Sequence, residues 1–256
     1  MVQENVVMAL ILTAGAGLAT TIGSFLGLFV RKPGPRFMSA TLGFSAGVMI
    51  LVSFVELLPA GVNSLGFLLG HIGFFAGIVG ILLIDFIIPH DYVGQHEHGA
   101  VRTEEEHQLL RTGLLIALGI GIHNFPEGMA TFAAALADVK LGGAIAVAIA
   151  IHNIPEGLAV SAPIYAATGS RRKAFLWSFL SGVSEPVGAG LAAIFLLPVL
   201  TPAVMGWMLA AVAGVMVFIS IDELVPASRS FGEEHLPILG VVIGMAVMSF
   251  SLWMLK

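Results

Sequence analysis

The sequence HNFPEG occupies residues 123–128, and HNIPEG, a second copy of the same pattern, occupies residues 152–157. Each copy lies inside an apolar stretch long enough to cross a bilayer as a helix, which takes about 20 residues. Ionisable side chains are costly at that depth, so they are rare there and usually functional. The two copies therefore predict a pair of transmembrane helices that carry a polar site between them.

The composition of the whole chain indicates a membrane protein. Of its 256 residues, 57% are hydrophobic and only 11% are charged, whereas soluble domains carry about 25% charged residues. The net charge of −5 offers no basic surface for nucleic acid, which we exclude as a partner. The chain has no cysteine, so disulfides and thiolate metal ligands are also excluded.

We expect an all-α membrane protein with eight transmembrane helices in a single domain, residues 1–256. Turn residues and charges separate the apolar stretches. The one sizeable polar segment, at about 90–111, is rich in His and Glu and is expected to be a cytosolic loop. The eight expected spans lie at about 5–30, 37–59, 65–89, 112–136, 140–165, 173–197, 203–226 and 236–255.

Orientation follows from Lys and Arg, which are enriched in the cytoplasmic connections of membrane proteins. Nine of these residues lie in the first, third, fifth and seventh connections, and only two lie on the opposite side. We therefore expect a multi-pass protein of the cytoplasmic membrane with both termini outside the cytosol. The nine are Arg31, Lys32, Arg36, Arg102, Arg111, Arg171, Arg172, Lys173 and Arg229, and the two are Lys140 and Lys256.

A second repeat ends two of the spans. SFVELLP occupies residues 53–59 at the end of the second span, and SIDELVP occupies residues 220–226 at the end of the seventh. These spans are expected to run in opposite directions, as are the fourth and fifth spans, which carry the HNxPEG copies. Inverted repeats are typical of transporters that bind their substrate near the membrane midplane.

Each HNxPEG copy presents cation ligands on one helix face, because its His and Glu are four residues apart. Pro126 and Pro155 have no N–H, so the carbonyls of Ile122 and Ile151 lose their helical donors. Imidazole, carboxylate and carbonyl ligands suit Zn²⁺ and also Fe²⁺, Mn²⁺ and similar ions. The sequence thus predicts a divalent-metal site at midmembrane. Its candidate ligands are His123, Asn124, Glu127, His152, Asn153, Glu156 and Glu185, the last in the sixth span.

Simpler interpretations compete at several of these positions. A single intramembrane His or Asn often serves helix packing. Met49 is most simply a core residue, although it lies seven residues before Glu56 and both could face the site. Polar groups near helix ends either reach water or line an ion pathway, and a His-rich loop is either solvated or binds released ions weakly. The candidate pathway residues are Glu56, Asp222, Glu223, His96 and His98.

At these residues the chain resembles the ZIP (Zrt/Irt-like) family of metal transporters, in particular its bacterial zinc-uptake members. The resemblance covers essentially the whole chain. It rests on the two HNxPEG copies, ELLP at 56–59, DEL at 222–224 and YAATGS at 165–170. It implies eight helices in a 3+2+3 arrangement with inverted outer triplets. It also implies that the first, fourth, fifth and sixth helices move against the other four.

The resemblance further implies two metal positions. Some family members have Gln-Asp where this chain has His152-Asn153, so the number of bound ions stays open. One position would use His123, Glu127, His152 and Glu156, with Met49 as an additional candidate. The other would use Asn124, Asn153 and Glu185, sharing Glu127 and Glu156.

We expect the chain to carry Zn²⁺ as its transported substrate across the bilayer into the cytosol, with Fe²⁺, Mn²⁺, Co²⁺ and Cd²⁺ as further candidates. An intramembrane zinc-dependent hydrolase is the alternative, disfavoured because the HExxH pattern is absent. A third hypothesis, proton-coupled transport of an organic solute, lacks a basic group in the site to hold an anion. The sequence leaves open the preferred metal, the energy coupling, a carrier or channel mechanism, and whether two copies form a homodimer.

Overall fold

The computed structural model describes residues 2–29, 34–87, 104–196 and 201–255, and all regular structure in these ranges is helical. The all-α class is therefore confirmed. The helices are α1 (Val2–Phe29), α2 (Pro35–Val52), α3 (Leu58–Leu65), α4 (Phe67–Ile87), α5 (Glu104–Ala137), α6 (Val139–Thr168), α7 (Arg171–Leu191), α8 (Pro202–Ile219), α9 (Val225–Arg229) and α10 (Leu236–Leu255). Three π-helical turns are continuous with these helices. Ser53–Leu57 joins α2 to α3, Ala192–Leu196 extends α7, and Ser220–Leu224 joins α8 to α9.

Six of the described helical segments are long and apolar enough to cross a membrane. A shorter apolar helix covers Phe67–Leu83. The second span continues past its expected end and breaks at Gly66, where φ is +84°, a conformation that favours glycine. The six segments are Asn5–Phe29, Pro35–Leu65, Val139–Thr168, Arg171–Phe195, Pro202–Arg229 and Leu236–Met254.

The expected loop at about 90–111 is partly helical, which corrects its boundary. Helix α5 begins at Glu104, eight residues before the expected span. Its first three residues are glutamates, which hydropathy alone does not assign to an apolar span. Residues 88–103, with the candidate residues His96 and His98, lie outside the described part of the chain.

Helices α5 and α6 form a tight antiparallel hairpin. Asp138 alone separates them, and its carboxylate accepts hydrogen bonds from the backbone N–H groups of Lys140 (2.7 Å) and Leu141 (3.3 Å), an N-cap for α6. His123 lies fifteen residues before Asp138 and His152 fourteen residues after it. At 1.5 Å per residue, both copies of HNxPEG therefore stand about 21 Å from the turn, at the same level.

The helices pack in two groups. Helices α1, α5, α6 and α7 contact one another in every pairing, and we call them the motif group. The repeat group contains α2, α3, α4, α8, α9 and α10, with α2 against α10 and α4 against α8. The groups meet where α2 lies against α6 and α8 lies against α5. Both HNxPEG helices therefore face the boundary between the groups.

The SFVELLP and SIDELVP segments share a local structure that the sequence pattern does not reveal. Ser53 and Ser220 each begin a π-helical turn. Each hydroxyl donates to the carbonyl four residues earlier, that of Met49 or Met216, at 2.7 Å. The match also extends upstream, because AGVM occurs at both 46–49 and 213–216. The two segments are thus equivalent in structure as well as in sequence.

The crossings of these helices match too. A Cβ added to Gly47 of α2 would overlap the carbonyl of Val241 in α10, and one added to Gly214 of α8 would overlap the carbonyl of Phe74 in α4. Such close backbone approach needs small residues at the crossing point. The pair α2 and α10 therefore packs as the pair α8 and α4 does.

Candidate metal site

The two prolines lie inside helices that continue through them. Pro126 lies in α5 and Pro155 in α6. Because a proline nitrogen carries no hydrogen, the carbonyls of Ile122 and Ile151 have no helical donor at these points. The motifs thus place backbone acceptors beside their polar side chains, as expected from the sequence.

The candidate ligands whose side chains the structure describes are buried. The side chains of Glu127, Glu156 and Glu185 are each 0% exposed. No Lys or Arg among the described side chains is buried with them. Burying a carboxylate is costly unless an opposite charge or hydrogen bonds compensate it. Three buried carboxylates without a buried Lys or Arg among the described side chains favour a bound cation. Asn124, His152, Asn153 and Met49 are also 0% exposed.

His152 faces Glu127 across the hairpin. Its Nε2 lies 3.3 Å from Oε1 and 3.4 Å from Oε2 of Glu127. Its Nδ1 lies 3.2 Å from the carbonyl oxygen of Ala148. Since a carbonyl can only accept, Nδ1 donates the proton there. When the ring is neutral, the form in which imidazole binds a metal, Nε2 is then the electron-pair donor beside the carboxylate. Two electron-pair donors facing each other are stabilised by a cation between them.

The two asparagines use their amide nitrogens in the same way. Nδ2 of Asn124 donates to the carbonyl of Ser181 at 3.2 Å, and Nδ2 of Asn153 donates to the carbonyl of Ala16 at 2.9 Å. Neither Oδ1 has a hydrogen-bond partner among the described residues, although both are buried. A buried acceptor without a partner requires an explanation, and a bound ion provides one.

Asn153 also donates through Nδ2 to Oε1 of Glu185. Both of its partners, that carboxylate and the Ala16 carbonyl, are acceptors, so the nitrogen rather than the oxygen of the amide must face them. This contact brings Glu185 of α7 to the HNIPEG copy. The structure thus places the third candidate carboxylate beside the second motif copy.

Glu156 is contacted from the repeat group by a residue that the sequence analysis missed. The hydroxyl of Ser45 in α2 donates to Oε1 of Glu156 at 3.2 Å. Ser45 is 0% exposed, and it lies one turn before Met49 on the same helix. The sequence shows only a serine within an apolar span, one turn from a candidate ligand. It does not show the contact, because Ser45 and Glu156 are more than a hundred residues apart.

The other candidates lie around this centre. The carboxylate of Glu223, in the π-helical turn after α8, packs against Gly119, one turn before His123 in α5. Glu56 occupies the matching turn after α2 and is partly exposed, whereas Asp222 is exposed. His123 lies in α5, but its side chain is outside the described part of the structure.

The described side chains contain no cluster of three or more His, Asp and Glu residues that could hold one ion in this conformation. His123 is not among these side chains. The candidate ligands instead contact one another in pairs. Glu127 lies against His152, and Asn153 lies against Glu185.

Comparison with known proteins agrees with this chemistry. The family model described as ZIP zinc transporter matches residues 88–252. A protein named zinc transporter ZupT from Nitratidesulfovibrio vulgaris is 51% identical, with 97% of each chain covered. Proteins of the same name from Clostridium perfringens (46% identical, 98% of this chain and 96% of the relative) and Streptococcus mutans (48%, 98% of each) are similar. These relatives are named transporters rather than enzymes, so the hydrolase alternative has no support.

Proposed function

The chain belongs to the ZIP family of zinc transporters, and from that premise we propose that it carries Zn²⁺ across the cytoplasmic membrane into the cytosol. The ion is the substrate, bound transiently between the two HNxPEG copies. Substrate must bind tightly enough to be selected and weakly enough to leave. A site of imidazole and carboxylate ligands, without thiolates, meets that demand.

The contact between His152 and Glu127 carries this proposal. Zinc lies about 2.0–2.1 Å from imidazole nitrogen and 2.0–2.2 Å from carboxylate oxygen, and it prefers tetrahedral geometry. Two such ligands of one tetrahedral ion are separated by about 3.4 Å. Nε2 of His152 lies 3.3 Å and 3.4 Å from the Glu127 oxygens. The pair therefore has the spacing that one zinc ion would impose.

The other candidate ligands would complete two metal positions. The ion between His152 and Glu127 also takes His123 and Glu156, with Met49 as a further candidate because it follows Ser45 by one turn on α2. A second position uses the unpartnered oxygens of Asn124 and Asn153 together with Glu185. Glu127 and Glu156 are shared, so that two ions, if bound at once, are bridged by carboxylates.

The proposed arrangement has eight transmembrane spans in the order 3+2+3. Helices α1 to α4 form the first outer triplet of spans, α7 to α10 form the second, and the two triplets are inverted relative to each other. Both termini lie outside the cytosol. The matched π-helical turns and the matched crossings of α2 with α10 and of α8 with α4 support the inversion. The Lys and Arg distribution supports the orientation. Glu56, Asp222 and Glu223 would line the pathway, and His96 and His98 would meet the released ion in the cytosol.

Zinc uptake into proteoliposomes tests the proposal. Radioactive Zn²⁺ should accumulate in vesicles that contain the unsubstituted chain, and Glu127→Ala or His152→Ala should reduce uptake to the level of empty vesicles. Competition by Fe²⁺, Mn²⁺, Co²⁺ and Cd²⁺ would rank the other candidate substrates. Uptake equal to that of empty vesicles for the unsubstituted chain would contradict the proposal. The mass of the detergent-solubilised particle would show whether two copies form a homodimer.

A further inference from the structure

We infer that Ser45 is a positioning residue for the metal site, which holds Glu156 in the orientation that binds the ion. This inference rests on the proposed transport function. Ser45 lies in α2 of the repeat group, and its hydroxyl donates to Oε1 of Glu156 in α6 of the motif group at 3.2 Å. Both side chains are 0% exposed. The site is therefore completed by a helix that carries neither HNxPEG copy.

The repeat shows that packing alone does not require a hydroxyl at this position. Ser45 immediately precedes AGVM at 46–49 in α2, and Val212 immediately precedes AGVM at 213–216 in α8. Val212 is 4% exposed and belongs to the hydrophobic core. An apolar side chain thus fills the equivalent place in the other half. Burying a hydroxyl there is unfavourable unless it forms a hydrogen bond, and Glu156 accepts that bond.

A hydroxyl has the properties that a metal-binding carboxylate needs from its neighbour. Ser donates one hydrogen bond to a carboxylate oxygen and so fixes the rotation of the group. It carries no positive charge, so it does not repel the arriving cation as Lys or Arg would. Groups that orient a metal ligand in this way typically contribute 10–100-fold to metal affinity. Ser45 is such a group for Glu156.

Zinc affinity of the purified full-length chain in detergent tests this inference. Ser45→Ala should weaken Zn²⁺ binding, measured by competition with a fluorescent chelator, by about tenfold or more. Ser39→Ala is the matched control, because Ser39 is also fully buried in α2 but its hydroxyl has no partner among the described residues. The control should bind Zn²⁺ within about twofold of the unsubstituted chain.

A double substitution separates positioning from packing. In a chain that already carries Glu156→Ala, adding Ser45→Ala should change the zinc affinity by no more than about twofold, since the oxygen that accepts from Ser45 is gone. The zinc-induced rise in melting temperature should likewise be smaller in Ser45→Ala than in Ser39→Ala. Equal loss of affinity in both backgrounds, or no loss in Ser45→Ala, would overturn the inference. Absence of zinc binding by the unsubstituted chain would overturn the proposed function and this inference with it.

Discussion

Nε2 of His152 lies 3.3 Å from Oε1 of Glu127, across the hairpin of α5 and α6. Both side chains are fully buried, and Nδ1 of the same ring lies 3.2 Å from the carbonyl of Ala148. The ring nitrogen and the carboxylate thus face each other within the protein, at the level where the two HNxPEG copies meet. When the ring is neutral, Nε2 and the carboxylate are both electron-pair donors, and a cation between them would be bound by both.

Replacing His152 by Ala should change which metal is preferred. Imidazole suits zinc, whereas carboxylate and carbonyl oxygens suit manganese. We expect His152→Ala to weaken Zn²⁺ binding by about 100-fold, at least as much as the loss of an outer partner of a metal ligand costs, and Mn²⁺ binding by less. Calorimetric titration of both metals measures the ratio. His235→Ala, an exposed control, should leave both affinities unchanged, and equal losses for the two metals in His152→Ala would contradict the assignment.

Replacing Asn153 by Asp should destabilise the chain without metal. The substitution removes the amide donor to Ala16 and Glu185 and places a second carboxylate beside Glu185. A lost buried hydrogen bond costs about 1–3 kcal/mol, and like charges add to that cost. Saturating Zn²⁺ should restore much of the stability, because the added carboxylate can bind an ion.

Thermal unfolding with and without Zn²⁺ measures this effect. Asn124→Asp is the control, because Asn124 donates to the carbonyl of Ser181 and to no carboxylate that the structure describes. The melting temperature without zinc should fall further in Asn153→Asp than in Asn124→Asp. Equal melting temperatures would show that the contact with Glu185 contributes nothing.

Replacing Gly128 by Ala should separate α5 from α7. A Cβ at Gly128 would overlap the carbonyl oxygen of Glu185, a backbone atom that moves only if the helix moves. Overpacking of this kind costs about 1–3 kcal/mol and shifts Glu185 relative to Glu127. Gly143→Ala is the control, because nothing lies within 4 Å of the added carbon.

The effect of this overpacking on stability and on the site is measured by the melting temperature and the zinc affinity of both alanine variants. Gly128→Ala should lower both, whereas Gly143→Ala should lower neither, since alanine favours a helix over glycine by about 1 kcal/mol. Unchanged zinc affinity in Gly128→Ala would indicate that the packing of α5 on α7 does not position the site.

The orientation can be tested directly, because the chain has no native cysteine. Val139, beside the turn between α5 and α6, and Ser230, at the end of α9, are both exposed. We expect a membrane-impermeant maleimide to label Val139→Cys in intact cells and to label Ser230→Cys only after permeabilisation. The opposite labelling pattern would place both termini inside.

The sequence was sufficient to predict an all-helical membrane protein and to single out the motif residues as candidates, because apolar length and ionisable groups within apolar stretches leave a direct pattern. It misplaced the start of α5 at 112, since hydropathy detects only the apolar part of a helix whose first turns are charged. It also missed Ser45 and the carbonyl groups that accept hydrogen bonds from Asn124 and Asn153, because those contacts arise from the packing of distant helices. Local sequence patterns carry no information about which carbonyl a neighbouring helix will present.

The central claim is that zinc binds between the two HNxPEG copies. Anomalous X-ray scattering at the zinc absorption edge, from crystals of the chain loaded with Zn²⁺, tests it most directly. We expect a zinc peak about 2.0–2.2 Å from both Nε2 of His152 and a carboxylate oxygen of Glu127. Zinc bound elsewhere in the chain, with none between these two residues, would contradict it.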